Sequence, residues 1–157
     1  MIRNYRPWYV DPLFWGIFFV DMLTKQMAVA YCYKPIVFIK NILIFTLSFN
    51  RGISFAMFHS DNQLVFYAVS LGVFLILCYV AKYTLDRQKE GKDILGELLV
   101  LGGGWANFTD RVHSGAVVDF IQLSYNNYCF PTFNIADIAI TFGVCLMLYS
   151  LLQGDDQ

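Results

Sequence analysis

Charge is scarce in this chain. Of its 157 residues only 15% are Asp, Glu, Lys or Arg, against 57% hydrophobic and 18% aromatic, and the formal net charge is −1. A nucleic-acid surface needs a clustered basic face, so that class of partner is excluded. Internal repeats and low-complexity linkers are also missing. Residues 1–157 therefore read as one integral membrane domain, without the repeated halves that many secondary transporters show.

The four cysteines, Cys32, Cys78, Cys129 and Cys145, form no C-x-x-C pair and have no histidine at ligand spacing. No metal site is expected from them. Cys78 and Cys145 fall inside apolar runs as small apolar side chains, and spacing leaves a Cys32–Cys129 disulfide open. Neither His-Glu-x-x-His nor Gly-x-Ser-x-Gly occurs, which removes zinc and serine-nucleophile proteolysis. His59 and His113 are isolated and read as surface residues. Gly102, Gly103 and Gly104 are followed by no P-loop Lys-Ser/Thr, so they imply close helix packing and no cofactor is expected.

What the chain does hold is apolar runs long enough to cross a bilayer of about 30 Å, which takes roughly 20 helical residues. Four are legible: about 12–31, 63–83, 93–111 and 134–152. The expected fold is an all-α membrane protein of four transmembrane helices with a small extracytoplasmic β-rich region. The β character comes from the outer segments 35–58 and 112–133, rich in β-branched and aromatic residues and broken by turn punctuation. Tyr125, Tyr128, Phe130 and Phe133 suit the membrane interface.

Lysine and arginine bias sets orientation. Arg3 and Arg6 precede the first run, and Lys82, Arg87, Lys89 and Lys92 mark a short loop between the second and third, so both termini are expected to be cytoplasmic. A cleavable signal peptide over residues 1–30 is disfavoured by Asp21 and Lys25. Those charges stand at i and i+4 on one helix face, can neutralise each other, and break the uncharged core a secretory segment needs.

An acid at the mouth of the fourth run, Asp137, is costly near hydrocarbon and is read as functional unless a partner explains it. Asp119 precedes it by eighteen positions, and a short return of the chain would bring the two together. Two neighbouring carboxylates do not both ionise cheaply: one keeps its proton and the other accepts one from water, the division of labour of aspartic proteolysis. The plainer alternative pairs Asp119 with Arg111 and makes Asp137 a helix cap beside Asn134.

The ordered set Asp21-x-x-Thr24-Lys25, Asn50-x-Gly52, Gly102-Gly103 through Asn107-x-x-Asp110-Arg111, Val118-Asp119-Phe120 and Phe133-Asn134-x-Ala136-Asp137 resembles bacterial lipoprotein signal peptidase over almost the whole chain. That resemblance implies an aspartic signal peptidase of the bacterial cytoplasmic (inner) membrane, with its active site near the outer surface. It would cut lipid-modified prolipoproteins just before the diacylglyceryl-bearing cysteine. Asp119 and Asp137 would be the catalytic pair, and Asn50, Asn107, Arg111 and Asn134 would orient substrate or dyad. Asp21, Lys25, Gly102, Gly103, Asp110 and Ala136 would be structural, although Arg111 has a rival role as a partner of Asp110 or of a membrane phospholipid phosphate. A monomer is expected. The sequence departs from the family pattern at Ala106, Ile138 and Ile53-Ser54-Phe55, none of which removes a titratable group. Two other readings are a noncatalytic membrane protein binding lipidated proteins and a small proton-coupled transporter; the second lacks a polar path along the second helix.

Overall fold

A computed structural model of the chain describes residues 7–52, 62–126 and 128–153. Arg3, Arg6, His59, the Ile53-Ser54-Phe55 departure and both chain ends lie outside the described residues.

Helix α1 (Pro12–Tyr31) starts with Pro at its first position, where a missing N–H is harmless, and the Asp11 side chain accepts from Leu13 N at 2.9 Å. Its buried residues, Phe14, Asp21, Lys25 and Ala28, form one stripe at helical spacing. A hairpin of β1 (Ile36–Ile39) and β2 (Leu43–Asn50) follows, turning at Asn41 with φ 61°. Helix α2 (Gln63–Lys89) is capped by Asn62, whose side chain accepts from Leu64 N at 2.8 Å. Helix α3 (Leu95–Ser114) ends at Gly115, left-handed with φ 69°, a geometry that costs an L side chain energy and glycine little. Strands β3 (Val117–Tyr125) and β4 (Tyr128–Cys129) complete an antiparallel sheet of order β1-β2-β3-β4, and α4 (Ile135–Gln153) closes the chain.

Three of these helices, α1, α2 and α4, are long and apolar enough to cross a membrane. Their outward faces carry Phe19, Leu23, Leu71, Ile76, Phe142 and Leu148, all more than half exposed. An apolar belt of that extent is tolerated in lipid and not in water. The basic stretch expected as a loop after residue 83 is instead mostly helical, and only residues 90–94 connect α2 to α3. No helix breaker occurs before Gly91, and Arg87 is held on the helix by an ion pair to Glu97 (2.7 Å) and a hydrogen bond to Ser150 Oγ (3.2 Å). Arg87 thus ties α2 to α3 and α4.

Helix α3 is the centre of the bundle, which explains its weak hydropathy: its sides face protein. The glycine run shows how close that packing is. A Cβ on Gly102 would lie 3.0 Å from the Phe14 carbonyl oxygen of α1, and one on Gly103 would lie 2.5 Å from the Ala136 carbonyl oxygen of α4. One on Gly104 would run into the Leu77 side chain of α2. Successive residues point about 100° apart, so three consecutive glycines admit three different helices. Cys32 and Cys129 are both free, Cys32 being buried against Ala28, Phe120 and Ile121, so the open disulfide is not formed. Cys78 and Cys145 are exposed on the helix surfaces.

Candidate active site

The return of the chain from β3 to α4 places the two acids. After the turn at Asn126 (φ 47°), Phe133 pairs back onto Ile121: Ile121 N donates to Phe133 O at 2.9 Å and Phe133 N to Ile121 O at 3.0 Å. That pairing delivers Asn134 and the first turn of α4 beside Asp119. A cavity of about 80 Å³ opens there, with Asn50, Asn107, Arg111, Asp119 and Asp137 in its wall.

Asn134, fully buried, joins the two acids. Its Nδ2 donates to Asp119 Oδ1 at 2.7 Å, while its Oδ1 accepts from Asp137 N at 2.9 Å. Asn134 N in turn donates to Asp137 Oδ2 at 3.3 Å. The last two bonds form a reciprocal N-terminal cap, so Asp137 caps α4 through Oδ2 and leaves Oδ1 to Asn107 Nδ2 at 2.9 Å. Capping and a place in the acid pair, which the sequence set against each other, coexist in one side chain. Asn50 donates from Nδ2 to Asp119 Oδ2 at 3.1 Å and accepts from Gly52 N at 2.8 Å. The β2–β3 register sets that contact, Ser48 opposite Asp119 and Asn50 opposite Val117.

Behind the acids lies an ion cluster. Lys25 Nζ sits 2.6 Å from Asp21 Oδ2 and 2.8 Å from Asp110 Oδ2. Asp21 Oδ1 accepts from Ala136 N at 2.7 Å, supplying α4 with a second cap from another helix, and Asp110 Oδ2 accepts from Val118 N at 3.2 Å. Asp110 therefore belongs to Lys25 and not to Arg111. The Arg111 guanidinium donates instead to the Gly52 carbonyl oxygen and lies 5.9 Å from the centre of the Phe66 ring, and its Nη1 has no hydrogen-bond partner among the described residues. The suggested Arg111–Asp110 partnership is thereby corrected. Sequence reasoning placed Lys25 in packing alone; its Nζ also donates to Asn107 Oδ1 at 2.7 Å, a contact that depends on which helices α1 faces, a tertiary fact that no local spacing encodes.

Burial holds Asp119, only 2% exposed, above the ordinary carboxylate range, and the negative charge of Asp137 adds to the effect. Hydrogen bonds from Asn50 and Asn134 and the charge of Lys25 offset part of it, leaving the group at about 7. A carboxyl poised there exchanges its proton near neutral pH. Folded protein then binds more protons than unfolded protein between about pH 4 and 7, so this group's stabilising contribution is present at acid pH and lost as pH rises through that window. The melting temperature of wild type relative to Asp119→Asn in detergent is expected to fall from pH 4 to pH 7. A difference that stays constant with pH would refute the assignment.

A sequence profile described as Signal peptidase (SPase) II matches residues 13–153. The chain belongs to the signal peptidase II family. Lipoprotein signal peptidase of Azoarcus sp. (strain BH72) is 33% identical, the alignment covering 94% of this chain and 88% of that protein. The same-named protein of Anoxybacillus flavithermus (strain DSM 21510 / WK1) is 37% identical over 83% and 77% of the two chains. A bacterial membrane enzyme structure solved by the in meso method at 2.3 Å superposes with a TM-score of 0.68 at 28% identity, covering 90% of this chain and 85% of the other. A second, at 1.9 Å, gives a TM-score of 0.66 over 89% and 90% of the chains. Membership in the signal peptidase II family, together with the apolar helices, makes this an integral membrane peptidase of the kind that processes prolipoproteins.

Proposed function

We propose that the chain is an aspartic endopeptidase that removes the signal peptide of diacylglyceryl-modified prolipoproteins, cutting immediately before the lipidated cysteine. The observation that carries this reading is the placement of Asp119 and Asp137 in one small cavity, each supplied with amide donors and joined by Asn134. The ionised member takes a proton from a water held between the pair, and that water attacks the scissile carbonyl. The protonated member donates to the carbonyl oxygen and afterwards serves the leaving amine. Asn50, Asn107 and Asn134 orient the acids, and Arg111 Nη1 is available to a substrate carbonyl.

In this reading α3 is the fourth membrane span, its 20 residues reaching about 30 Å, sheltered from lipid by α1, α2 and α4, and residues 1–157 make one membrane domain. Exposed Lys82 and Lys89 and the α2–α3 turn lie on the cytoplasmic side with both termini, and the sheet and acid pair face outward. A noncatalytic lipoprotein-binding role leaves the raised Asp119 unexplained, and a proton path along α2 would have to pass buried Phe66, Leu77 and Val80, since its buried polar residues, Thr84 and Arg87, both lie near its C-terminal end.

Incubating purified protein with a diacylated precursor tests the function. The expected products are a free signal peptide and a chain whose new N-terminus is the lipidated cysteine, identified by mass. A cut elsewhere, or none by folded protein, would overturn the proposal.

A further inference from the structure

The Lys25 ammonium touches the hydrogen-bond network of the acid pair as well as its ion cluster. Besides Asp21 and Asp110, Nζ donates to Asn107 Oδ1 at 2.7 Å, and the side chain is 3% exposed. Three acceptors use all three N–H groups of an ammonium, which itself accepts nothing. A carboxamide is nearly symmetric in shape, so its two ends are told apart by hydrogen bonding. The end of Asn107 that faces Lys25 has to be its oxygen.

The consequence reaches both acids. With Oδ1 held by Lys25, Asn107 Nδ2 is directed to Asp137 Oδ1 at 2.9 Å. The same Oδ1 also accepts from Asn134 Nδ2 at 3.1 Å, which supports the sense that Val118 O (3.3 Å) and Asp137 N (2.9 Å) already give the second amide, with its nitrogen toward Asp119 Oδ1 at 2.7 Å. A reversed Asn107 would set an oxygen against the Asp137 carboxylate.

We propose that Lys25 is a positioning residue of the acid pair: through Asn107 Oδ1 it orients the Asn107 carboxamide so that Asp137 receives its N–H donor, and the same oxygen supports Asn134 beside Asp119. The inference rests on the reading of Asp119 and Asp137 as the catalytic pair. Asp21 and Asp110 anchor the ammonium, and Lys25 touches no substrate atom.

The test is a cycle of variants in which Lys25→Met is combined with Asp110→Asn, keeping the cluster's net charge unchanged, with and without Asn107→Ala. Turnover is measured per folded molecule on diacylated precursor. In the native background the Met/Asn pair is expected to lower kcat about 10- to 100-fold, the scale of a small misplacement of reacting groups, with KM unchanged. In the Asn107→Ala background the same pair should lower kcat less than about threefold, since the residue it acts through is gone. Equal losses in both backgrounds, or a loss confined to the amount of folded protein, would overturn the proposal. If the Met/Asn pair does not fold, Lys25→Met with Asp21→Asn tests the same relay, because it also removes the ammonium at unchanged cluster charge and keeps an oxygen for Ala136 N. It should lower kcat as far as Asn107→Ala does, and a kcat within threefold of wild type would overturn the proposal. Asp119→Asn in the same assay separates the levels: if that variant still cuts normally, the catalytic-pair reading itself fails.

Discussion

Asp119→Asn and Asp137→Asn are each expected to lower precursor cleavage per folded molecule by about a thousandfold or more. Asparagine keeps the size of the side chain but only one acceptor oxygen, so one of the two donors on each acid loses its partner: Asn50 or Asn134 at Asp119, and Asn107 at Asp137 if the cap on Asn134 N is kept. What is lost is the ability to trade a proton. Thermal stability at neutral pH should fall by no more than about 1–3 kcal/mol, the cost of one buried donor left unpaired, so cleavage is compared per folded molecule. The double variant should be little worse than either single one, because residues that act as a unit are strongly non-additive. Near-normal cleavage by either folded single variant would remove that residue from the mechanism.

Removing the diacylglyceryl group from an otherwise identical precursor is expected to lower kcat/KM by about a hundredfold or more. Next to the acids an apolar groove of about 320 Å³ runs from Asp137 along Leu123, Phe130, Phe133, Ile138 and Phe142. Acyl chains already lie in lipid or detergent, so the groove gains little transfer energy from them; chains confined there would instead hold the neighbouring peptide bond beside the carboxylates. Cleavage of lipidated and unlipidated precursor in the same detergent reads the effect. Equal rate constants would mean that the peptide alone positions the scissile bond.

The helices were legible because hydropathy and length act locally: α1 occupies the expected span, and α4 differs by one residue at each end. Helix α2 ran six residues beyond expectation because charge at 82–89 resembles a loop when its partners are unseen; Glu97 and Ser150, which hold Arg87, are supplied by other helices. The sheet was visible in composition, but its order and the register of Asn50 against β3 were not, since pairing is set by tertiary contacts. Asp119 and Asp137 stood out because an acid near hydrocarbon demands a reason. Asn134 as the bridge between them, and Lys25 as the ammonium behind Asn107, follow only from helix arrangement.

The two buried ion clusters also bear on how the chain enters a membrane. Asp21 and Lys25 lie one turn apart on α1, so that helix can partition into lipid with its charges already matched. Arg87 and Glu97 lie on different helices joined by residues 90–94, and Asp110 of α3 shares the one Lys25 ammonium with Asp21. Alone in hydrocarbon, α3 would have to keep Glu97 and Asp110 protonated. Packing against α2 and α1 supplies Arg87 and Lys25, so the two acids of α3 gain partners only as the bundle assembles.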